Sequence, residues 1–274
     1  MEYPKDLRRE FPGVYDRAYE QMKKFRHVRD IMTPRVITIT EDKTMADAAR
    51  AMGEKHIGSL VVEADAKPKG IVTERDLLSG ILALRRDPAK SKVGEAMSWP
   101  LLTIPPDAPI KEAAKIMMKR KGRLGVMEKD KLIGIVSASD FIRSLPDVLE
   151  TLVKVEDYMT PEVVMVDEAT PVTDITVTMG KERIGSVIVS SSGKPKGIFT
   201  ERDLLTTFLK EGKSLEAPVK GYASTPLIIA PAWISVYEAA YIMADRHIRR
   251  LPLMEEDEMV GIITARDLVE AYAK

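Results

Sequence analysis

A seven-residue pattern that returns four times along the chain restricts the fold more than any other feature. It reads Gly70-Ile71-Val72-Thr73-Glu74-Arg75-Asp76, Gly134-Ile135-Val136-Ser137-Ala138-Ser139-Asp140, Gly197-Ile198-Phe199-Thr200-Glu201-Arg202-Asp203 and Gly261-Ile262-Ile263-Thr264-Ala265-Arg266-Asp267. The common core is Gly, two apolar residues, Thr or Ser, two variable residues and Asp. The four Asp residues are spaced by 64, 63 and 64 positions. Self-similarity at a fixed period is the mark of a tandem structural unit.

A second match precedes each motif. Met32-Thr33-Pro34, Met97-Ser98-Trp99-Pro100, Met159-Thr160-Pro161 and Ser224-Thr225-Pro226 each lead into a short apolar run. The runs Val36 to Ile39, Leu101 to Ile104, Val163 to Val166 and Leu227 to Ile229 read as buried strands. Helical spacing follows, as in Met45, Ala48, Ala49 and Met52 or Ile110, Ala113, Ala114 and Met117. A second strand, a turn rich in Gly, Pro and charge, and a third strand then run into the motif. The predicted unit is therefore strand, helix, strand, strand, helix, and the fold class is α/β.

The four copies are not equal. Copies one and three carry Ile57-Gly58-Ser59-Leu60 and Ile184-Gly185-Ser186-Val187 at the start of strand two. Copy two has Gly122-Arg123-Leu124-Gly125 there, and copy four has Ile248-Arg249-Arg250-Leu251. Copies one and three also share Thr-Glu-Arg-Asp-Leu-Leu and a Lys-Pro-Lys-Gly turn. The organisation is a duplicated pair. Repeats span 28–87, 93–146, 155–211 and 219–274, grouped as modules 28–146 and 155–274, with Pro146 to Lys154 joining them. Residues 1–27 precede the repeats. Phe11, Tyr15, Ala18, Tyr19, Met22 and Phe25 fall at helical spacing after Pro12, which predicts an N-terminal helix that packs on the body or docks a partner.

Composition removes several chemistries. There is no Cys, so no disulfide, thiolate metal site or cysteine nucleophile. The three His, at 27, 56 and 247, lie too far apart in sequence for a His-rich metal cluster. Lys+Arg and Asp+Glu are equal at 42 each, which argues against a general polyanion binder. No stretch approaches the ~20 apolar residues of a membrane span, so a cytoplasmic protein is expected. The chain lacks Asn and has only Gln21 among the thermolabile amides, a thermophilic trait. No phosphate-loop or dinucleotide glycine motif occurs.

The motif admits two readings. A Thr or Ser three residues before Asp at a strand-to-helix junction is a capping box, which needs no ligand. The glycine is then explained by the turn or by close backbone approach. The same geometry suits a nucleoside, because a first-turn Asp can accept from both hydroxyls of a ribose. Phosphate would lie further out, near cations such as Arg123, Arg249 and Arg250, with His247 beside the last two. The alternative for those arginines is surface salt bridging.

The Met-Thr-Pro leads, the Ile-Gly-Ser strand and the Gly-x-x-Thr-x-x-Asp ending together resemble the cystathionine-β-synthase (CBS) domain, and the pairing resembles two Bateman modules. The resemblance covers about 245 of the 274 residues. It implies paired units in a disk-like assembly, with up to four clefts that take adenosine nucleotides. The site residues it implies are the motif groups Thr73, Arg75, Asp76, Ser137, Asp140, Thr200, Arg202, Asp203, Thr264, Arg266 and Asp267. Asp76 would face Leu102 and Arg123, and Asp140 would face Ile37, Gly58 and Ser59, with Ile57 a further nucleotide-binding residue. Asp203 would face Ile228, Arg249 and Arg250, and Asp267 would face Val164, Gly185 and Ser186, with Ile184 and His247 among the further nucleotide-binding residues.

The resemblance thus implies a regulatory protein that binds AMP, ADP or ATP, with no catalytic residue, no metal and no membrane role. A protein partner would act in trans, and a homodimer is allowed. An S-adenosylmethionine-type ligand shares the adenosine moiety and stays open. CBS units also occur in inosine-monophosphate dehydrogenase, but that family uses a catalytic Cys. The basic stretches Arg8-Arg9, Lys23 to Arg26 and Lys119 to Lys121 raise a nucleic-acid-binding or scaffold role, which zero net charge disfavours.

Overall fold

The computed structural model describes residues 27–119, 122–144 and 153–274. The N-terminal helix expected before residue 27, its basic stretches, Arg120, Lys121 and most of the joining stretch lie outside the described residues.

Repeat one opens with a helical turn, α1 (Val28–Ile31), and the lead strand β1 (Thr33–Pro34). Then come β2 (Thr38–Thr40), α2 (Met45–Lys55), β3 (Ser59–Ala64), β4 (Lys67–Thr73) and α3 (Glu74–Leu77), which widens into a π-helical stretch, Leu78–Leu82. Repeat two has α4 (Val93–Ala96), β5 (Thr103–Ile104), α5 (Ile110–Lys119), β6 (Arg123–Glu128), β7 (Lys131–Ser137) and α6 (Ala138–Ser144). Repeat three opens on a 3-10 turn, Val155–Asp157, followed by β8 (Met165–Asp167), α7 (Val172–Lys181), β9 (Ser186–Ser191), β10 (Lys194–Thr200) and α8 (Glu201–Asp203) with its π-helical continuation Leu204–Leu209. Repeat four has β11 (Ala230–Pro231), α9 (Val236–Asp245), β12 (Arg250–Glu255), β13 (Glu258–Thr264) and α10 (Ala265–Ala273).

Every repeat builds one small sheet. The first strand runs parallel to the second, and the second antiparallel to the third. The second strands bury consecutive residues, Leu60-Val61-Val62 in repeat one and Val187-Ile188-Val189 in repeat three, because both faces of a central strand are covered. Helices α2, α7 and α9 bury the expected stripe, for example Met45, Ala48, Ala49 and Met52 at full burial.

The first runs meet expectation in repeat two, where Leu101 and Ile104 are buried, and depart from it in the other copies. The first strands are only two or three residues long and sit at the sheet edge. Ile37, Met165 and Ile229 are exposed at 37%, 48% and 49%. An apolar run bounded by turns looks the same in sequence whether one face is covered or two. In repeats one, three and four an edge position with a single neighbour leaves Ile37, Met165 and Ile229 open.

Residues form two compact units, and each draws on both halves of the chain. One contains 36–102 and 162–229, that is, most of repeats one and three. Its core gathers Met45, Met52, Leu78, Ile81, Met179, Phe199, Leu205 and Phe208. Helix α2 packs against the π-helical stretch of repeat three, and α7 against that of repeat one. Phe208 meets Phe199 and Tyr222 edge to face. The other unit contains the described part of 1–35 with 103–161 and 230–274, that is, repeats two and four. There α10 packs on α5 and α6, with Phe141 edge-on to Tyr272.

Candidate functional site

The site is built where the third strand of a repeat hands over to its helix. Within each unit, the lead segment of one repeat lies against the motif strand of its pair-mate. Thr33 and Pro34 pair with Ile135 and Gly134. Ile71 and Ser98 exchange both backbone hydrogen bonds at 2.9 Å. Thr160 and Ile262 do the same at 2.9 Å, and Ser224 and Ile198 at 2.9 and 3.1 Å. A buried valine anchors every lead segment. Val28, Val93, Val155 and Val219 are fully buried, and their N–H groups donate to Ala108, Lys43, Ile234 and Thr170 of the pair-mate. Each such burial contributes about 1.5–3 kcal/mol.

This crossing explains the invariant glycine of the motif. A Cβ on Gly70 would stand 2.7 Å from the Ser98 carbonyl oxygen, and one on Gly197 2.7 Å from that of Ser224. On Gly134 and Gly261 it would stand 2.6 Å from the sulfur of Met32 and Met159. The glycines are close-approach positions for the crossing chain, rather than sites of unusual backbone conformation.

The capping reading is realised in all four motifs. The Thr73 N–H and hydroxyl donate to Asp76 Oδ2 at 2.9 and 2.7 Å. Ser137 does so to Asp140 at 2.8 and 2.6 Å, Thr200 to Asp203 at 2.8 and 2.7 Å, and Thr264 to Asp267 at 2.7 Å for both. The hydroxyls of Thr73 and Thr200 in turn accept from the Asp N–H. A cap of this kind contributes about 1 kcal/mol. It also orients the carboxylate, because Oδ2 is held by its own cap.

The carboxylates have different surroundings. Asp140 is 3% exposed, and its Oδ1 accepts from Thr33 Oγ1 at 2.9 Å and from the Arg143 guanidinium. Burial pushes the Asp267 carboxyl above the usual carboxylate range; the Thr264 hydrogen bonds oppose this, and the negative charge of Glu270 adds to it.

Arg75 and Arg202 have a second setting that sequence reasoning missed. Arg75 Nε reaches Glu201 at 3.1 Å, and Arg202 Nε reaches Glu74 at 3.2 Å, a reciprocal pair between repeats one and three. The two carboxylates are 7% and 3% exposed. Arg75 also donates to the Arg183 carbonyl at 2.8 Å. The signal was present in sequence, since Glu-Arg occurs only in the odd motifs, while the even ones read Ala138-Ser139 and Ala265-Arg266.

Register sets the strand-two residues beside their own motif. Ser59 lies opposite Thr73, Arg123 opposite Ser137, Ser186 opposite Thr200 and Arg250 opposite Thr264. Gly58, Gly185 and Arg249 share the next position back, where their carbonyls accept from Glu74, Glu201 and Ala265. Arginine therefore replaces serine at one structural position in both even repeats. Ile57 and Ile184 are half-buried just before these strands. His247 is exposed and left-handed, with φ 53°, a place taken by His56 and Arg183 in the odd repeats. Leu102 and Ile228 are half-buried and follow lead segments that lie on the Asp76 and Asp203 strands. Ile37 and Val164 sit at the start of the first strands, where their carbonyls accept from Val61 and Ile188.

Among the described residues, no group of three or more His, Asp or Glu side chains is placed to hold a metal ion, and no helix is long and apolar enough to cross a membrane.

Fold and site together define a protein made of four tandem copies of one small α/β domain, with one motif carboxylate per copy. Residues 28–83, 93–147, 155–210 and 219–274 each match the CBS domain model, and the chain belongs to the CBS domain family. Uncharacterized protein MJ1404 of Methanocaldococcus jannaschii is 27% identical over 266 residues, covering 90% of this chain. The match spans 62% of that longer relative. The CBS domain-containing protein YhcV of Bacillus subtilis is 31% identical over 114 residues, covering 42% of this chain and 81% of its own length. Among solved structures, protein MJ1225 of M. jannaschii, described as a candidate archaeal homologue of g-AMPK, superposes with a TM-score of 0.74 at 22% identity. It covers 90% of this chain and all of its own. An uncharacterized conserved protein of Pyrococcus horikoshii gives a TM-score of 0.62 at 24% identity, covering 90% and 99%.

Proposed function

We propose that this chain is a non-catalytic sensor that binds adenine nucleotides (AMP, ADP or ATP) at its motif carboxylates. The observation that carries this reading is the oriented Asp, repeated at the same place in every copy. Each carboxylate is aimed by its own cap and flanked by the crossing backbone of the pair-mate. An aimed carboxylate is suited to a pair of sugar hydroxyls, because an ionised carboxylate accepts hydrogen bonds at both of its oxygens.

In this reading Arg123, Arg249 and Arg250 answer to phosphate, and the apolar residues at the first strands, such as the exposed Ile37 and the half-buried Val164 and Ile228, supply the adenine surface. Arg75 and Arg202 serve the packing of repeat one on repeat three in the first instance. Ligand binding would shift the population of two arrangements of the repeats, which a protein partner in trans reads by its differential affinity.

Calorimetric titration with AMP, ADP, ATP and S-adenosylmethionine tests the proposal. Saturable binding of at least one adenine nucleotide is expected, weakened by Asp203→Asn. If none binds below millimolar concentration, the reading fails. If S-adenosylmethionine alone binds, the ligand class changes to that of a sulfonium nucleoside.

A further inference from the structure

In the unit built from repeats one and three, two ion pairs join the motif copies directly. Arg75 Nε donates to Glu201 at 3.1 Å, and Arg202 Nε donates to Glu74 at 3.2 Å. Both donors stand immediately before a motif carboxylate, Asp76 or Asp203. Both acceptors open a motif helix, and the side chains of Glu74 and Glu201 are nearly buried. The first turns of α3 and α8 lie in contact.

Each glutamate is also a junction within its own repeat. The Glu74 N–H donates to the Gly58 carbonyl at 3.2 Å, and the Glu201 N–H to that of Gly185 at 3.1 Å. The residue that receives the opposite arginine therefore ties its motif helix to strand two. Arg75 reaches further, with its Nη1 donating to the Arg183 carbonyl at 2.8 Å. Arg183 immediately precedes Ile184-Gly185-Ser186. One side chain of repeat one thus holds the motif turn of repeat three and the entry to its second strand. Separating either pair strips a nearly buried carboxylate of its arginine, which is costly. The even motifs place Ala138 and Ala265 where Glu74 and Glu201 stand, so they cannot build the same linkage.

We propose that Arg75 and Arg202 are positioning residues that couple the Asp76 and Asp203 sites, so that nucleotide bound at one raises the affinity of the other. This rests on the reading of the motif carboxylates as nucleotide acceptors. A ligand that draws Asp76 into its bound position moves Arg75 with it. Arg75 carries Glu201 and the Arg183 carbonyl, and with them the turn that holds Asp203. The contact is reciprocal, and both copies share Thr-Glu-Arg-Asp-Leu-Leu and an Ile-Gly-Ser strand. The arrangement favoured by a ligand in one copy is therefore the one favoured in the other.

The test isolates the two copies. Asp140→Asn with Asp267→Asn leaves the Asp76 and Asp203 sites, and this form of the full chain is titrated calorimetrically with AMP and ATP. The expected result is two sites, the second filling at least about fivefold more tightly than the first after statistical correction. Adding Glu74→Gln and Glu201→Gln keeps side-chain size and removes the ion pairs. Both sites should remain and fill independently, to within about twofold. Either glutamine change alone is the parallel variant if the combined form does not fold, and it should reduce the coupling. A purely structural role for the ion pairs would lower stability and leave the coupling as it was. If wild type binds nucleotide but the isolated copies show fewer than two sites, or fill independently, or keep their coupling without the glutamates, the proposal is overturned while nucleotide sensing stands. If nothing titrates with wild type, both fall.

Discussion

Gly53 and Gly180 occupy the same place in α2 and α7, yet the structure assigns opposite signs to their replacement by Ala. A Cβ on Gly180 would lie 2.2 Å from the Ala83 Cβ, deep inside van der Waals contact. The obstacle is short and backbone-anchored, so it cannot swing aside. Overpacking of this kind costs about 1–3 kcal/mol, against which Ala gains about 1 kcal/mol of helix propensity. Gly180→Ala is therefore expected to destabilise by up to about 2 kcal/mol. At Gly53 the nearest atom is the Lys210 Cβ at 3.3 Å, a contact that a few tenths of an ångström relieves. Gly53→Ala should be neutral or stabilise by up to about 1 kcal/mol. Urea unfolding of the two variants, with Ala83→Gly as a partner in a double-mutant cycle, provides the assay. Positions 83 and 180 should couple by at least about 1 kcal/mol. Equal stabilities for the two glycine variants, or no coupling to Ala83, would refute the helix packing of repeat one on repeat three.

Three further outcomes follow from the same geometry. Glu270→Gln should lower the raised pKa of Asp267, read from its carboxyl carbon by NMR, because a nearby negative charge is removed. The sign in stability follows. Ionising a buried carboxyl whose folded pKa lies above its unfolded value of about 3.9 costs stability only as the pH rises through that window. Glu270→Gln should therefore gain on wild type towards neutral pH and show no gain well below about pH 4; a gain of equal size at both pH values would contradict the assignment. Gly197→Ala should destabilise by about 1–3 kcal/mol and speed amide exchange at Ile198 and Ser224, since the new Cβ meets the Ser224 carbonyl. Replacing Arg249 and Arg250 by Ala should weaken ATP and ADP more than adenosine in calorimetry, and equal losses would remove phosphate from their role.

Much of this was legible in the sequence, and the remainder was hidden for physical reasons. The motif period and the odd and even distinction followed from residue identity alone. The capping box was legible because it is local, spanning Thr73 to Asp76 and its three counterparts. The lead-segment crossing was not, because Thr33 and Pro34 form a two-residue strand with no periodicity to read. Its partner Asp140 lies 107 positions away. The exposure of Ile37, Met165 and Ile229 was not legible either, because apolar runs do not declare how many neighbours they have. Arg143 stood at helical spacing from Asp140, an ordinary surface pair until Thr33 and Ser137 are seen to occupy the rest of the carboxylate. The ion pairs of Arg75 and Arg202 required knowing that repeat one packs on repeat three.

The account turns on what occupies the motif carboxylates, and a crystal structure of the chain grown with its tightest-binding adenine nucleotide measures this directly. The predicted result is ribose hydroxyls within hydrogen-bonding distance of at least one motif carboxylate among Asp76, Asp140, Asp203 and Asp267, beside the lead segment of the pair-mate. Nucleotide bound away from every motif carboxylate would contradict the reading.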